Sequence, residues 1–388
     1  MNPAGGIALE HIMPPRSGSV DPSAFPNEEF DLYSIPAFDQ REPEILAGCA
    51  IGSAKQIVQP GDVLLSRIVP HIRRAWIVGH DRGRRIIASG EWIVFRGDDV
   101  EPRYLRHVLV SDPFHTEFMR TVSGVGGSLL RARPAYVAKI KIPLPSLPEQ
   151  RRIAEILDKG DELRAMRRAA LAKLDTLTQS IFLDMFGDST TILHKWPTST
   201  LGSLLDFLTS GSRGWAKYYS DDGDLFLRIQ NVRHDKLSLD DIAYVHAPNT
   251  AEAKRTQVAP GDVLLSITAD LGRTAVIPQT FGRAFINQHL AILRTKSFVP
   301  RFLSAYLASP SGQRQVSGLN RHGVKAGLNF DDIRSLVVPV PPLAPQRQFA
   351  SRVASVETLR RVESTSATKL DGLFLTLQQR AFRGEVRA

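Results

Sequence analysis

Two stretches of the chain share one hydrophobic rhythm. Between residues 148 and 186, Ile153, Ile156, Leu163, Ala170, Leu174, Leu177, Ile181 and Met185 recur with a period near 3.5. Between residues 344 and 382, Phe349, Val356, Leu359, Leu370, Leu373 and Leu377 do the same. That period predicts two long helices with a narrow apolar seam suited to coiled-coil pairing. Pro148 stands in the first turn, where a missing N–H costs nothing, and no further proline follows before Phe186. At 1.5 Å per residue each helix is about 58 Å long. A helix of that length cannot bury its seam alone, so the two are expected to pack on each other. Ahead of each helix the pattern breaks into short apolar and β-branched runs: Val63–Leu65, Ile86–Ile87 and Trp92–Phe95, then Val263–Ile267 and Ala291–Leu293. Pro-Gly and Gly-Asp turns punctuate them, which reads as α+β globules. The expected organisation is a globule over 1–147, a helix over 148–187, a globule over 188–343 and a helix over 344–388.

The two halves are copies. Gly61-Asp62-Val63-Leu64-Leu65-Ser66 recurs as Gly261-Asp262-Val263-Leu264-Leu265-Ser266, 200 residues later. Lys173-Leu174-Asp175 recurs as Lys369-Leu370-Asp371, at an offset of 196. So do the Pro-rich segments IPLPSLPEQR (142–151) and VPVPPLAPQR (338–347), again 196 apart. Three matches in one order and at nearly one offset mean an internal duplication.

Taken together, these segments resemble the specificity subunits of type I restriction–modification systems. The resemblance rests on the Pro-rich exit into Pro148-Glu149-Gln150-Arg151 and Ala344-Pro345-Gln346-Arg347 ahead of the long helices, on the repeat itself, and on the ending Ala381-Phe382-Arg383-Gly384-Glu385. The second globule opens in the family manner with Trp196-Pro197 and Leu201-Gly202, whereas the first lacks that opening and starts near Ile7–Leu9. The resemblance implies two α/β target-recognition domains, each reading one half of a split double-stranded DNA target and held apart by two paired long helices. Globules that read separated half-sites must sit at opposite ends, so the expected pairing is an antiparallel coiled coil with a pseudo-twofold axis. It also implies partners: two methyltransferase subunits docked on the helices, and restriction/translocase subunits. Those partners are implied to use S-adenosylmethionine, ATP and Mg, while this chain supplies the address and needs no cofactor.

Composition fits that reading. Lys and Arg total 49 against 40 Asp and Glu, giving +9 at pH 7, an excess that favours an anionic partner. The single cysteine, Cys49, excludes an intramolecular disulfide and a multi-cysteine zinc site, and suits a reducing cytoplasm. No signal-peptide pattern and no apolar run approaching ~20 residues occurs, so no membrane association is expected. There is no Gly-x-x-x-x-Gly-Lys-Ser/Thr phosphate loop, no Asn/Asp-Pro-Pro-Tyr/Phe segment and no His/Cys cluster with metal spacing. The expectation is a binding and assembly protein without a catalytic site. The alternatives are an enzyme with an unfamiliar site, or a recognition subunit serving another phage-defence DNA methyltransferase.

Reading bases needs donors and acceptors aimed into the major groove, above a floor of phosphate contacts. In the first globule Arg67, His71, Arg73 and Arg74 follow the repeated strand, where the second copy carries Thr268 and Arg273. The second globule adds a loop with Ser212, Arg213, Lys217 and Tyr218, then Arg228, Gln230 and Asn231, then the pair Gln288 and His289. Two readings stand for Trp215 and Tyr218, packing or DNA contact, and for His289, a hydrogen-bonded core histidine or a contact residue. Two Gly-rich stretches lie ahead of the helices, with Arg131 and Arg133 beside one and Arg321 and Lys325 beside the other, suited to phosphate. At the helix midpoints Arg167 and Glu363 interrupt the seam at equivalent positions. In an antiparallel pair they are expected to approach each other and help fix register.

Overall fold

The computed structural model describes residues 6–14, 18–124, 130–188, 190–319 and 327–385. Two uninterrupted helices dominate it, Leu147–Phe186 and Leu343–Phe382, forty residues each. The chain divides into two compact units: Met1–Arg168 with Thr365–Ala388, and Ala169–Ser364. Each unit thus holds one globule and half of each long helix.

In the first unit a five-stranded sheet carries the parallel pair Glu29–Tyr33 and Arg85–Ala88, and a three-stranded antiparallel sheet is centred on Val63–Ser66. In the second unit a four-stranded sheet carries the parallel pair Asp224–Leu227 and Ala284–Ile286. A second four-stranded sheet is built around Val263–Ser266. The repeated GDVLLS segments therefore become equivalent central strands, each with every residue buried. Burial on both faces explains why they read as continuous apolar runs rather than alternating ones. The aspartate of each motif is buried too. Asp62 takes a two-pronged bond from Arg96, at 2.6 and 2.7 Å, and Asp262 takes the same from Arg294.

The missing opening of the first globule is a matter of sequence only. Ile7–Ala8 pairs with Lys141–Ile142 just as Thr198–Thr200 pairs with Val337–Pro339, and a short 3₁₀ turn follows in each case. Leu9 and Leu201 are fully buried at the start of these turns.

The Gln of each Pro-rich motif is the joint between globule and helix. Gln150 donates its amide to the Asp99 and Pro145 carbonyls and accepts from the Glu101 N–H. Gln346 donates to the Pro341 carbonyl and accepts from the Val299 N–H. Both are buried, and a buried amide is tolerated only with such partners.

Within each unit the halves of the two helices run antiparallel. In the first, Arg164 bonds Asp371 at 2.5 Å and Phe374 lies against Gly160, where an added Cβ would sit 2.7 Å from the ring. In the second, Arg360 bonds Asp175 at 2.7 Å. Arg164 and Arg360 are repeat equivalents, as are Asp175 and Asp371, so the Lys-Leu-Asp motif supplies the acid of a duplicated cross-helix ion pair. Four expected seam residues are corrected. Leu163, Leu177, Leu359 and Leu373 are exposed rather than facing the other helix. Each half-helix also packs on its globule, so Ile153, Ala154 and Leu157 are buried there instead, as are Phe349 and Val353 in the second unit. The α+β fold, the internal repeat and the antiparallel pairing of the helices are as expected.

Candidate nucleic-acid interface

The turn after each GDVLLS strand is built the same way twice. The Arg67 N–H donates to the Glu91 carbonyl at 3.0 Å, and the Ile267 N–H to the His289 carbonyl at 2.9 Å. Two residues on, Val69 and Ala269 both adopt left-handed backbone, with φ of 49° and 60°. Such a conformation costs a non-glycine residue about 1–3 kcal/mol, and for β-branched Val it is rarer still. The turn is then stitched to the segment ahead of the long helix. The Ala132 N–H donates to the Arg67 carbonyl at 2.8 Å, and the Leu328 N–H to the Ile267 carbonyl at 2.9 Å. Ile68 bridges Arg131, and Thr268 bridges Gly327. The frame is common to both units, while the side chains on it differ almost everywhere.

In the first unit Glu91, overlooked in the sequence, gathers two arginines. Arg67 Nε donates to it at 3.1 Å, and the Arg131 guanidinium lies against it side-on at 3.3–3.4 Å. Burial pushes the Glu91 carboxyl upward, but these bonds outweigh it and hold the group below its usual pKa, ionised. The cluster keeps a net positive charge at a half-exposed edge. His71 and Arg73, further along the chain, are exposed. Arg73 is braced by the Val110 carbonyl at 3.2 Å and by Asp112 at 2.5 Å. Burial and then the Arg73 charge lower the pKa of neighbouring His115, with His71 adding to the effect. Arg74 is mostly buried and lies 3.6 Å from Asp39, so it faces inward.

In the second unit the equivalent seat holds His289, whose ring joins Thr268 Oγ1 on one side and Gln288 on the other at 3.0 Å. Arg273 pairs with Asp270 of the same turn. Ser212 bridges Asn287, next to this seat. Arg213 and Lys217 are exposed and make no ion pair among the described residues. Lys217 lies 5.0 Å over the Tyr218 ring. Tyr218 itself is half-buried against Trp215, which is core, wedged between Phe226 and Phe285.

Arg228, Gln230 and Asn231 are close together but serve a loop. Asn231 is 1% exposed. Its side chain accepts from the Arg228 N–H and donates to the Ser238 and Asp241 carbonyls. A side chain so placed has no edge to offer a base, which corrects its assignment as a contact residue. Arg228 and Gln230 both bind Asp241, and with the Gln230 bond first they keep its carboxyl below the usual range. Arg321 and Lys325 lie outside the described residues. Arg167 and Glu363 are half-buried on their helices, one in each unit.

Among the described residues no group of His, Cys, Asp or Glu could hold a metal ion, and no helix is long and apolar enough to cross a membrane. The model of the type I restriction modification DNA specificity domain matches this chain twice, over residues 81–175 and 194–370. The chain belongs to the type I restriction–modification specificity family. Each match includes a GDVLLS-derived frame or the helix that follows it, so the family signature falls on both copies of the repeat. Among curated relatives, the specificity subunit of the EcoBI type I restriction enzyme of Escherichia coli is 23% identical over 282 residues, 64% of this chain and 58% of that protein. The aligned stretch therefore spans less than two thirds of that relative. Two solved structures share the fold over nearly their whole length. One, titled for complex assembly and conformational transition of the type I R-M system, has a TM-score of 0.63 at 21% identity and covers 100% of both chains. The other, a type I restriction–modification S subunit from M. genitalium, has a TM-score of 0.57 at 12% identity and covers 97% of this chain and 96% of that one.

Proposed function

We propose that this chain is the DNA-reading specificity subunit of a type I restriction–modification complex. The observation that carries the proposal is the duplicated frame: one backbone arrangement, held twice by the same hydrogen bonds, presenting two different sets of polar side chains. Two half-sites of a split duplex target need such a pair of readers. The long helices set the gap and offer docking surfaces to two methyltransferase subunits, with restriction/translocase subunits joining them in the cytoplasm. Catalysis belongs to those partners, together with their S-adenosylmethionine, ATP and Mg. In this reading Arg67, His71, Arg73 and Arg273 serve the two turns. Arg213 and Lys217 supply phosphate contacts, with Arg321 and Lys325 in the same role.

The test is duplex binding by the assembled complex across a salt series. Affinity should fall steeply with salt, and Arg213→Ala and Lys217→Ala should each flatten the log–log slope by about 1. A salt-independent affinity, or methyl transfer by the purified chain alone, would sink the proposal.

A further inference from the structure

The frame shared by the two turns places position 91 of the first unit and position 289 of the second in one seat, where a single side chain touches residues of the reading edge. There the units part company. Glu91 binds Arg67 through Nε only. Both terminal Nη groups of Arg67 therefore remain available, and among the described residues nothing accepts from them. Those two parallel donors match O6 and N7 of guanine. Arg131 closes the other side of the carboxylate, so the negative charge that would repel DNA is neutralised from two directions.

His289 works differently. His289 Nε2 meets Gln288 and Nδ1 meets Thr268 Oγ1, and in the arrangement where Gln288 Nε2 donates to Nε2 the ring proton lies on Nδ1 and is donated to Thr268 Oγ1. This tautomer holds the Gln288 amide in one orientation. Its Oε1 and second N–H stay available as an acceptor beside a donor, the pair that N6 and N7 of adenine require. Both Gln288 and Thr268 are half-buried, so the set is ordered yet reachable.

We infer that Glu91 and His289 are repeat-equivalent positioning residues, Glu91 aligning Arg67 for a guanine in one half-site and His289 aligning Gln288 for an adenine in the other. Neither touches DNA; each decides which edge its neighbour presents. The inference rests on the DNA-reading function proposed above.

The experiment selects duplexes from a random-sequence library with the full chain assembled with its methyltransferase subunits. Wild type is compared with Glu91→Gln, Arg67→Lys and Gln288→Met. Wild type should enrich a split motif with a guanine in one half and an adenine in the other. Glu91→Gln should lower the guanine preference about tenfold at one position while the other half-site keeps its sequence. Arg67→Lys, which keeps the charge but loses the fork, should do the same without changing the salt slope. Gln288→Met should erase one adenine in the opposite half only. Thermal melting reports folding, and if Glu91→Gln melts early, Arg67→Lys decides for the first unit. If wild type enriches a split motif but these variants leave both halves unchanged, or alter both together, the positioning roles are wrong. If wild type enriches no motif, DNA reading itself is wrong.

Discussion

The junction between globule and long helices is made twice, from different materials. In the second unit it is aromatic. Phe186 packs on Phe302 at 4.7 Å and on Phe349 at 5.7 Å, and Phe182 joins all three. The repeat equivalents of Phe182, Phe186, Phe302 and Phe349 in the first unit are Gln378, Phe382, Tyr104 and Ile153. One ring contact survives there, Tyr104 on Phe382 at 5.8 Å, and the Tyr104 hydroxyl donates to the Pro143 carbonyl. Beside it His107 bonds Asp158 at 2.8 Å, where the second unit has Ala305 and Ala354. The same seat can thus be filled by dry packing or by a polar network. The network must satisfy every atom, and it does not. Arg106 Nε and His107 Nδ1 are buried without a hydrogen-bond partner. Dry packing makes no such demand, so the second junction should be the stronger.

The sharpest way to break this contrast is truncation. Phe186→Ala should destabilise the second unit by about 3–5 kcal/mol, and Phe382→Ala, half-buried with fewer ring neighbours, should cost the first unit about 2 kcal/mol. Chemical denaturation with hydrogen exchange resolved by unit measures both, and equal losses would contradict the contrast. Next comes a feature the units share. Asp62→Asn and Asp262→Asn each weaken a buried charge-assisted pair, so both should cost about 2 kcal/mol. A large difference between them would show that the frame is not equivalent.

The third prediction is one of pH. Burial, and then the Arg106 charge, hold the His107 imidazole below its usual pKa against the pull of Asp158 and Asp161. The folded unit therefore keeps His107 neutral where the unfolded chain takes up a proton. This group costs nothing above pH ~6.5 and destabilises the first unit as pH falls below that value, by at most about 1.4 kcal/mol per pH unit. Denaturation at pH 7.5 and 5.5 should show a steeper loss for wild type than for His107→Ala, with the second unit unaffected by the substitution. A slope unchanged by the variant would remove His107 from the account. The smallest effects belong to the cross-helix ion pairs. Arg164→Ala and Arg360→Ala should each cost at most about 1 kcal/mol, since the pairs are partly exposed. Exchanging the charges of Arg164 and Asp371 together should restore most of the loss. The same exchange at Arg167 and Glu363 tests their proposed approach, and a pair that does not meet would show no coupling.

The duplication, both helices and the central strands were legible because each leaves a periodic or repeated trace. The seam was only half legible. A period of 3.5 marks an apolar stripe but does not say whether a helix turns it toward another helix or a globule, and Leu163 and Leu373 face neither. The candidate interface was harder. Asn231 as a loop clasp and Asn231 as an adenine reader have the same residue type and the same neighbours in sequence, and only burial separates them. Glu91 left no signal, being one acid between Gly90 and Trp92. Arg96 and Arg294, partners of the repeated aspartates, lie more than thirty residues from them, a distance over which spacing carries no information.

Gln150 and Gln346 have a consequence beyond stability. Every hydrogen bond they make goes to a main-chain atom of the loop or strand exit they hold. A fastening written in main-chain atoms asks nothing of the side chains on the other part. The side chains of a globule can change without the fastening being lost, so long as its main chain keeps this course. The helix end is a socket for main-chain atoms, and the side chains of the globule it holds are free to change.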